Sequence, residues 1–180
     1  FTILFMFWSL TLIILKLSGP REEISKSKKT AVLGSAFVGS LAFAFTDSFW
    51  FNAGEAEVYA MATCLMAILF YLALLWERDM FLPRGNRWVI LISFIIGLSF
   101  GVHFMGLLTI PAMGFLFFFK NYSKVTPKNF ILANIVVVVV LMFIFKFLLP
   151  YSLSFFAASE VFFVNTIGLP FNSGTIIAAL

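Results

Sequence analysis

The sequence predicts an all-α fold, a polytopic bundle of transmembrane helices, and three observations carry that prediction. The chain is 62% hydrophobic and only 11% charged. Soluble domains run nearer half apolar and a quarter charged, so this chain has more apolar surface than a water-soluble core could hide. Its mean hydropathy is +1.08. Its charges are also gathered into short stretches between apolar runs, and 180 residues leave room for roughly five or six crossings of about 20 residues each. Phenylalanine, with 26 residues, suits contact with lipid and with other helices.

The elements follow in order. The first apolar run, near 1–17, has its basic residues after it rather than before it, unlike a signal peptide. With no initiator Met, it reads as a helix entered midway. The last residues, from 175, read as the start of another span, so the chain is expected to be a fragment of a longer membrane protein. Lys16, Arg21, Lys26, Lys28 and Lys29 mark a first hydrophilic loop. Arg78, Arg84 and Arg87 mark a second, and Lys120, Lys124 and Lys128 a third, leaving only Lys146 of the twelve basic residues. Short basic loops stay cytoplasmic, so all three are assigned inside.

Each apolar stretch between those loops must then cross twice. Spans are expected near 30–46 and 55–76, with a turn near 47–54, and near 88–102 and 106–119, turning around Gly101 to Gly106. A single long tilted helix over 88–119 is the alternative, and it would put the third loop outside. Residues 129–149 cross outward, with Lys146 close enough to the outer end to snorkel. Residues 150–173, polar and interrupted by proline, are expected to lie as an extracytoplasmic interfacial segment. Glu22, Glu23, Glu77 and Asp79 read as solvated charges of the cytoplasmic loops. The remaining acids, Asp47, Glu55, Glu57 and Glu160, all map to the outer side, which orientation alone does not require.

Asp47-Ser48-Phe49-Trp50-Phe51-Asn52-Ala53-Gly54-Glu55-Ala56-Glu57-Val58-Tyr59 is the most informative stretch, with three carboxylates at a membrane boundary. Such acids tend to face a cavity or a partner, and paired carboxylates can hold a divalent cation or act as general acid and base. The plainer reading is that they favour a helix N-terminus, which suits Asp47. On one continuous helix Asn52, Glu55 and Tyr59 would share a face. Trp50 reads as an interfacial anchor or, less simply, as a surface for stacking a sugar. His103, the single histidine, falls at the outer apex of the second hairpin, as a hydrogen-bonded structural group or a functional one. No His/Cys set exists for a zinc-type metal site, so the metal-site assignment is none.

Gly34 and Gly39, and likewise Gly97 and Gly101, read as small residues for close helix packing. Cys64 reads as a small buried hydrophobe, and a lone cysteine excludes an intrachain disulfide. No phosphate-binding loop, nucleophile elbow or zincin motif is present. The net charge of +4 follows from the loop pattern and implies no nucleic-acid partner.

Three stretches, in order, resemble a bacterial membrane family common in Bacteroidetes, long labelled a domain of unknown function and related to the animal transmembrane protein O-mannosyltransferase. They are Asp47 to Ala60, Gly97-Leu98-Ser99-Phe100-Gly101-Val102-His103 followed by Pro111, and Val164-Asn165-Thr166-Ile167-Gly168-Leu169-Pro170-Phe171-Asn172-Ser173-Gly174. The resemblance implies a type-C glycosyltransferase fold. It further implies transfer of a sugar, mannose in the simplest case, from a polyprenyl-phosphate carrier to Ser or Thr of an extracytoplasmic protein. The implied location is the bacterial inner membrane, with the site facing the periplasm.

In such enzymes the catalytic base is an acid of the first outer loop, expected upstream of Phe1, so the chain alone is expected to be inactive. Asp47, Glu55 and Glu57 would orient acceptor or lipid phosphate, and His103 would hydrogen-bond phosphate or sugar. Trp50, Asn52, Tyr59, Asn165 and Asn172 are supporting candidates. A divalent cation is the one cofactor the acids would suit. A transporter or flippase is the competing reading, and it would carry its acids at mid-membrane in broken helices.

Overall fold

The computed structural model describes residues 1–19, 24–55 and 58–180. Among these the chain is helical throughout, without a strand. It divides into two compact units, Phe1–Val125 and Thr126–Leu180, taken here in turn.

The first unit contains α1 (Thr2–Leu17), α2 (Lys26–Ala44), α3 (Asp47–Gly54), α4 (Tyr59–Asp79), α5 (Asn86–Ser99) and α6 (Thr109–Asn121), with a 3-10 turn at Phe104–Leu108 leading into α6. The central helix is α4, which touches α1, α3, α5 and α6. Its sequence explains why. Ala62, Leu65, Leu69, Leu72 and Trp76 recur at alternating three- and four-residue spacing, and all are buried, giving a continuous inward stripe.

In lipid, helices gain little from withdrawing apolar surface, so close packing by small residues does more of the work. Here that work falls on Gly106, where a Cβ would run into the Ser99 side chain and lie 3.5 Å from Leu69. Gly39 has Leu10 of α1 against it, whereas Gly34 and Gly97 face open space and Gly101 meets only a carbonyl of its own turn. The close packing expected of Gly97 and Gly101 is therefore supplied by Gly106.

Side-chain bonds fix the helix directions. Lys16 at the end of α1 and Lys120 at the end of α6 both reach Glu77 at the end of α4. Trp88, near the start of α5, donates to Asp79 at 2.9 Å. Lys28, near the start of α2, donates to the Ser18 carbonyl at 2.6 Å. So α1, α4 and α6 run toward this charged end, and α2 and α5 run away from it. At the opposite end α2 bends by 62° into α3. The turn expected over 47–54 is itself a helix, and the return helix starts at Tyr59, not at 55.

The second unit opens with a reciprocal cap. Thr126 Oγ1 accepts from the Asn129 N–H, and the Asn129 side chain accepts from the Thr126 N–H at 2.7 Å. Pro127 sits in the first turn, where its missing N–H costs nothing. Helix α7 (Pro127–Phe143) continues through a π turn at Ile144–Leu148 into α8 (Leu149–Val161), then through a second π turn at Phe162–Thr166. A short α9 (Ser173–Ala179) packs back on α8.

The helix thus passes through Pro150, where the sequence reading ends a span at 149 and lays 150–173 along the interface. The π turn just before Pro150 explains it. A proline ring collides with the carbonyl of the preceding turn of a regular helix, and a widened turn relieves the collision. The resulting helix, Pro127–Thr166, has 40 residues and is about 60 Å long, twice the ~30 Å hydrocarbon core of a bilayer.

Among the described residues three helices are long and apolar enough to cross a membrane, Tyr59–Asp79, Phe104–Asn121 and Pro127–Thr166. The bent pair α2–α3 makes a fourth if counted as one span. The chain is a helical membrane protein.

Candidate functional site

The end of the first unit away from the charged cluster gathers most of the residues singled out above. Asp47 lies in the first turn of α3, exposed, behind Thr46 at the cap position. There a carboxylate favours the helix dipole, the plainer of its two readings. Trp50 is exposed and stacks on Phe45 at 5.7 Å with the planes 18° apart, and Phe49 meets Phe43 at 5.0 Å. These contacts brace α3 against the end of α2.

Glu55 is exposed and adopts an extended conformation directly after α3. The helix is interrupted there, so Asn52 on α3 and Tyr59 on α4 do not share one helical face with Glu55. That expectation fails because it carried one helix through Gly54. Glu57 lies outside the described residues.

Tyr59, in the first turn of α4, has a different neighbour. Its ring lies 5.7 Å from the imidazole of His103. His103 caps the 3-10 turn, half-buried, and its Nδ1 accepts from the Met105 N–H at 3.2 Å. A neutral imidazole that accepts at Nδ1 carries its proton on Nε2. The local fold therefore presents Nε2–H as a donor beside a phenol that can donate or accept.

Beneath this end lies a cavity of about 420 Å³ between α1, α4 and α6. Its lining includes Thr63, one turn beyond Tyr59, Leu108 and Thr109, where the 3-10 turn from His103 meets α6, and Met66, Phe70 and Phe115. The wall is almost wholly apolar and suits a hydrocarbon chain.

The charged end holds what the sequence reading missed. Glu77 and Asp79 are not solvated loop charges, since their side chains are only 9% and 8% exposed. Glu77 Oε1 takes the ammonium groups of Lys16 and Lys120, each at 2.9 Å. Asp79 takes Arg78 at 2.6 Å through Nε and at 3.0 Å through a terminal nitrogen, with Arg87 3.8 Å away. Arg87 also lies over the Trp88 ring at 4.7 Å. One signal was available: both acids sit in the last turn of an apolar helix, where the dipole repels negative charge, so each requires a cation. Among the described residues no three His, Cys, Asp or Glu side chains converge as metal ligands.

In the second unit, Asn165 is exposed in the π turn before α9. Asn172 precedes α9 with φ +70°, a conformation asparagine tolerates better than most residues. Its N–H donates to Glu160 at 2.6 Å, and Glu160 also accepts from the Thr175 N–H and hydroxyl. Glu160 therefore ties α9 to α8.

Comparison with known families bears on residues 1–126, which match the model of the protein O-mannosyl-transferase TMEM260 N-terminal domain. The chain belongs to that family. The match ends within one residue of the boundary between the two units, so the family domain and the first unit coincide. It includes two of the three stretches that carried the resemblance, 47–60 and 97–103, while 164–174 lies beyond it. No curated protein and no solved structure gives a significant match to the chain.

Proposed function

We propose that the first unit forms part of a membrane-embedded glycosyltransferase of the type-C kind. It moves a sugar, mannose in the simplest case, from a polyprenyl-phosphate carrier to Ser or Thr of an extracytoplasmic protein. The observation that carries the reading is the adjacency, within the family-matched unit, of the His103–Tyr59 pair and the apolar cavity beneath it. A polyprenyl phosphate has a long hydrocarbon tail and an anionic head. The cavity, whose lining begins one turn from Tyr59 at Thr63, suits the tail, and the Nε2–H of His103 is a donor suited to a phosphate or sugar oxygen.

In this reading the acceptor hydroxyl attacks the anomeric carbon as the bond to the phosphate oxygen breaks, and the lipid phosphate leaves with that electron pair. The acceptor's proton passes to an acidic base outside the residues assigned here. His103 and the Tyr59 hydroxyl stabilise charge on the departing phosphate. Asp47, Glu55 and Glu57 orient the acceptor, with Trp50 and Asn52 flanking it, and Asn165 and Asn172 are supporting residues of the second unit. By the charge rule for short loops, the cluster around Glu77 faces the cytoplasm and the His103 end faces outward, in a bacterial inner membrane the periplasm.

The test is transfer of labelled mannose from polyprenyl phosphate to envelope proteins by the full-length protein in membranes, with His103→Ala and Glu57→Gln beside wild type. Transfer by wild type that falls in His103→Ala supports the reading. Equal transfer by both removes His103 from the site. No transfer from any lipid-linked sugar moves the protein to the transporter class.

A further inference from the structure

A second pocket, of about 490 Å³, lies at the charged end, away from the site just described and independent of its assignment. Its rim is Lys16, Glu77, Arg78 and Lys120. Its wall includes Leu12 and Leu15 of α1 and Leu74 of α4. Leu12 is one helical turn deeper than Lys16, and Leu74 about one turn deeper than Glu77 and Arg78. The pocket is therefore charged at the end of the bundle and apolar toward the middle of the spans.

The charges at its rim do not cancel. Arg78 is taken up by Asp79. Lys16 and Lys120 share one carboxylate, and both ammonium groups bind the same oxygen of Glu77. Among the described residues one positive charge is left over at a half-enclosed, partly apolar site. Lys28 lies close by, with its ammonium on the Ser18 carbonyl next to Gly19, which also lines the pocket. Lys16 is 64% exposed, so it can turn from Glu77 to an incoming anion without stranding that carboxylate, which keeps Lys120.

We infer that this pocket binds an anionic glycerophospholipid of the surrounding bilayer. The phosphate sits between Lys16 and Lys120, and one acyl chain lies along Leu12, Leu15 and Leu74. Basic pockets between transmembrane helices recognise anionic headgroups by this combination of cations and an apolar wall. A zwitterionic lipid would bring its own cation to a rim whose described side chains already carry one positive charge in excess.

The experiment is native mass spectrometry of the full-length protein in neutral detergent, titrated in parallel with phosphatidylglycerol, phosphatidylcholine and inorganic phosphate. The expected result is phosphatidylglycerol bound about tenfold more tightly than phosphatidylcholine, with inorganic phosphate not competing. The preference should vanish in Lys16→Gln/Glu77→Gln/Lys120→Gln, which removes the charges together and leaves no carboxylate stranded. Lys128→Gln, on the second unit, should keep it. Equal binding of the two lipids overturns the inference, as does unchanged preference in the triple variant. Displacement by inorganic phosphate also overturns it, in favour of a free-anion site. If the triple variant does not fold, a photoreactive phosphatidylglycerol on wild type decides. Cross-links within 12–19, 74–78 and at Lys120 uphold the site, and cross-links confined elsewhere dismiss it.

Discussion

His103 and Tyr59 face each other across the end of the first unit, ring to ring at 5.7 Å, although one caps the turn before α6, the other opens α4, and neither is fully buried. The imidazole is held by the Met105 N–H on one nitrogen, and no hydrogen bond from the described residues takes the other.

That asymmetry predicts how substitutions divide. His103→Ala should lower sugar transfer by about a hundredfold, the order expected when a donor to developing negative charge is lost. Tyr59→Phe keeps the ring contact and removes only the hydroxyl, so its loss should be several-fold smaller. Helical content by circular dichroism should be the same in both. A Tyr59→Phe defect equal to that of His103→Ala would mean that the hydroxyl, not the imidazole, is the main donor.

The Asp79 cluster predicts an inequality in stability. Arg78→Ala/Arg87→Ala leaves a carboxylate 8% exposed with, among the described residues, only the Trp88 N–H for a partner, and should cost about 2 kcal/mol. Asp79→Asn keeps an acceptor for Trp88 and frees two arginines that already reach solvent, so about 1 kcal/mol is expected. Thermal unfolding in detergent ranks the two. The reverse order would show the arginines to be the costlier groups to leave unpaired.

At the α5–α6 turn, Gly106→Ala forces a methyl into the Ser99 side chain and should destabilise the unit by about 1–3 kcal/mol. Adding Ser99→Gly removes both atoms the methyl meets most closely and should restore most of the loss. Failure of that rescue would place the strain in the backbone of the turn.

In the second unit, Glu160→Ala removes the acceptor of the Asn172 and Thr175 N–H groups. Amide exchange at Thr175 should then speed up while α7 keeps its protection. Unchanged exchange there would mean that α9 is held by its packing through Gly174 alone.

These particulars separate what a sequence can reveal from what it cannot. The helical membrane class was legible because apolar runs and charge clusters alternate along the chain, a one-dimensional signal. Pro150 was misread because the rule that proline ends a helix is local, and the π turn that accommodates it has no residue signature. Glu77 and Asp79 were misread because they border a loop in sequence, whereas Lys16 and Lys120, which make burial tolerable, lie on other helices. Spacing groups Tyr59 with Asn52 and Glu55, but the chain turns extended at Glu55, and the ring beside Tyr59 belongs to His103.

The carboxylate of Glu77 joins three helices that are synthesised at different times. Growth from the N-terminus delivers Lys16 first, then Glu77, and Lys120 only after α5 and the following turn have been made. During that interval Lys16 is the only one of the two cations available to Glu77, and one cation is enough to match its charge. Arrival of α6 brings the second ammonium group, so the three-helix tie at Glu77 is complete only when the last of its helices has been made.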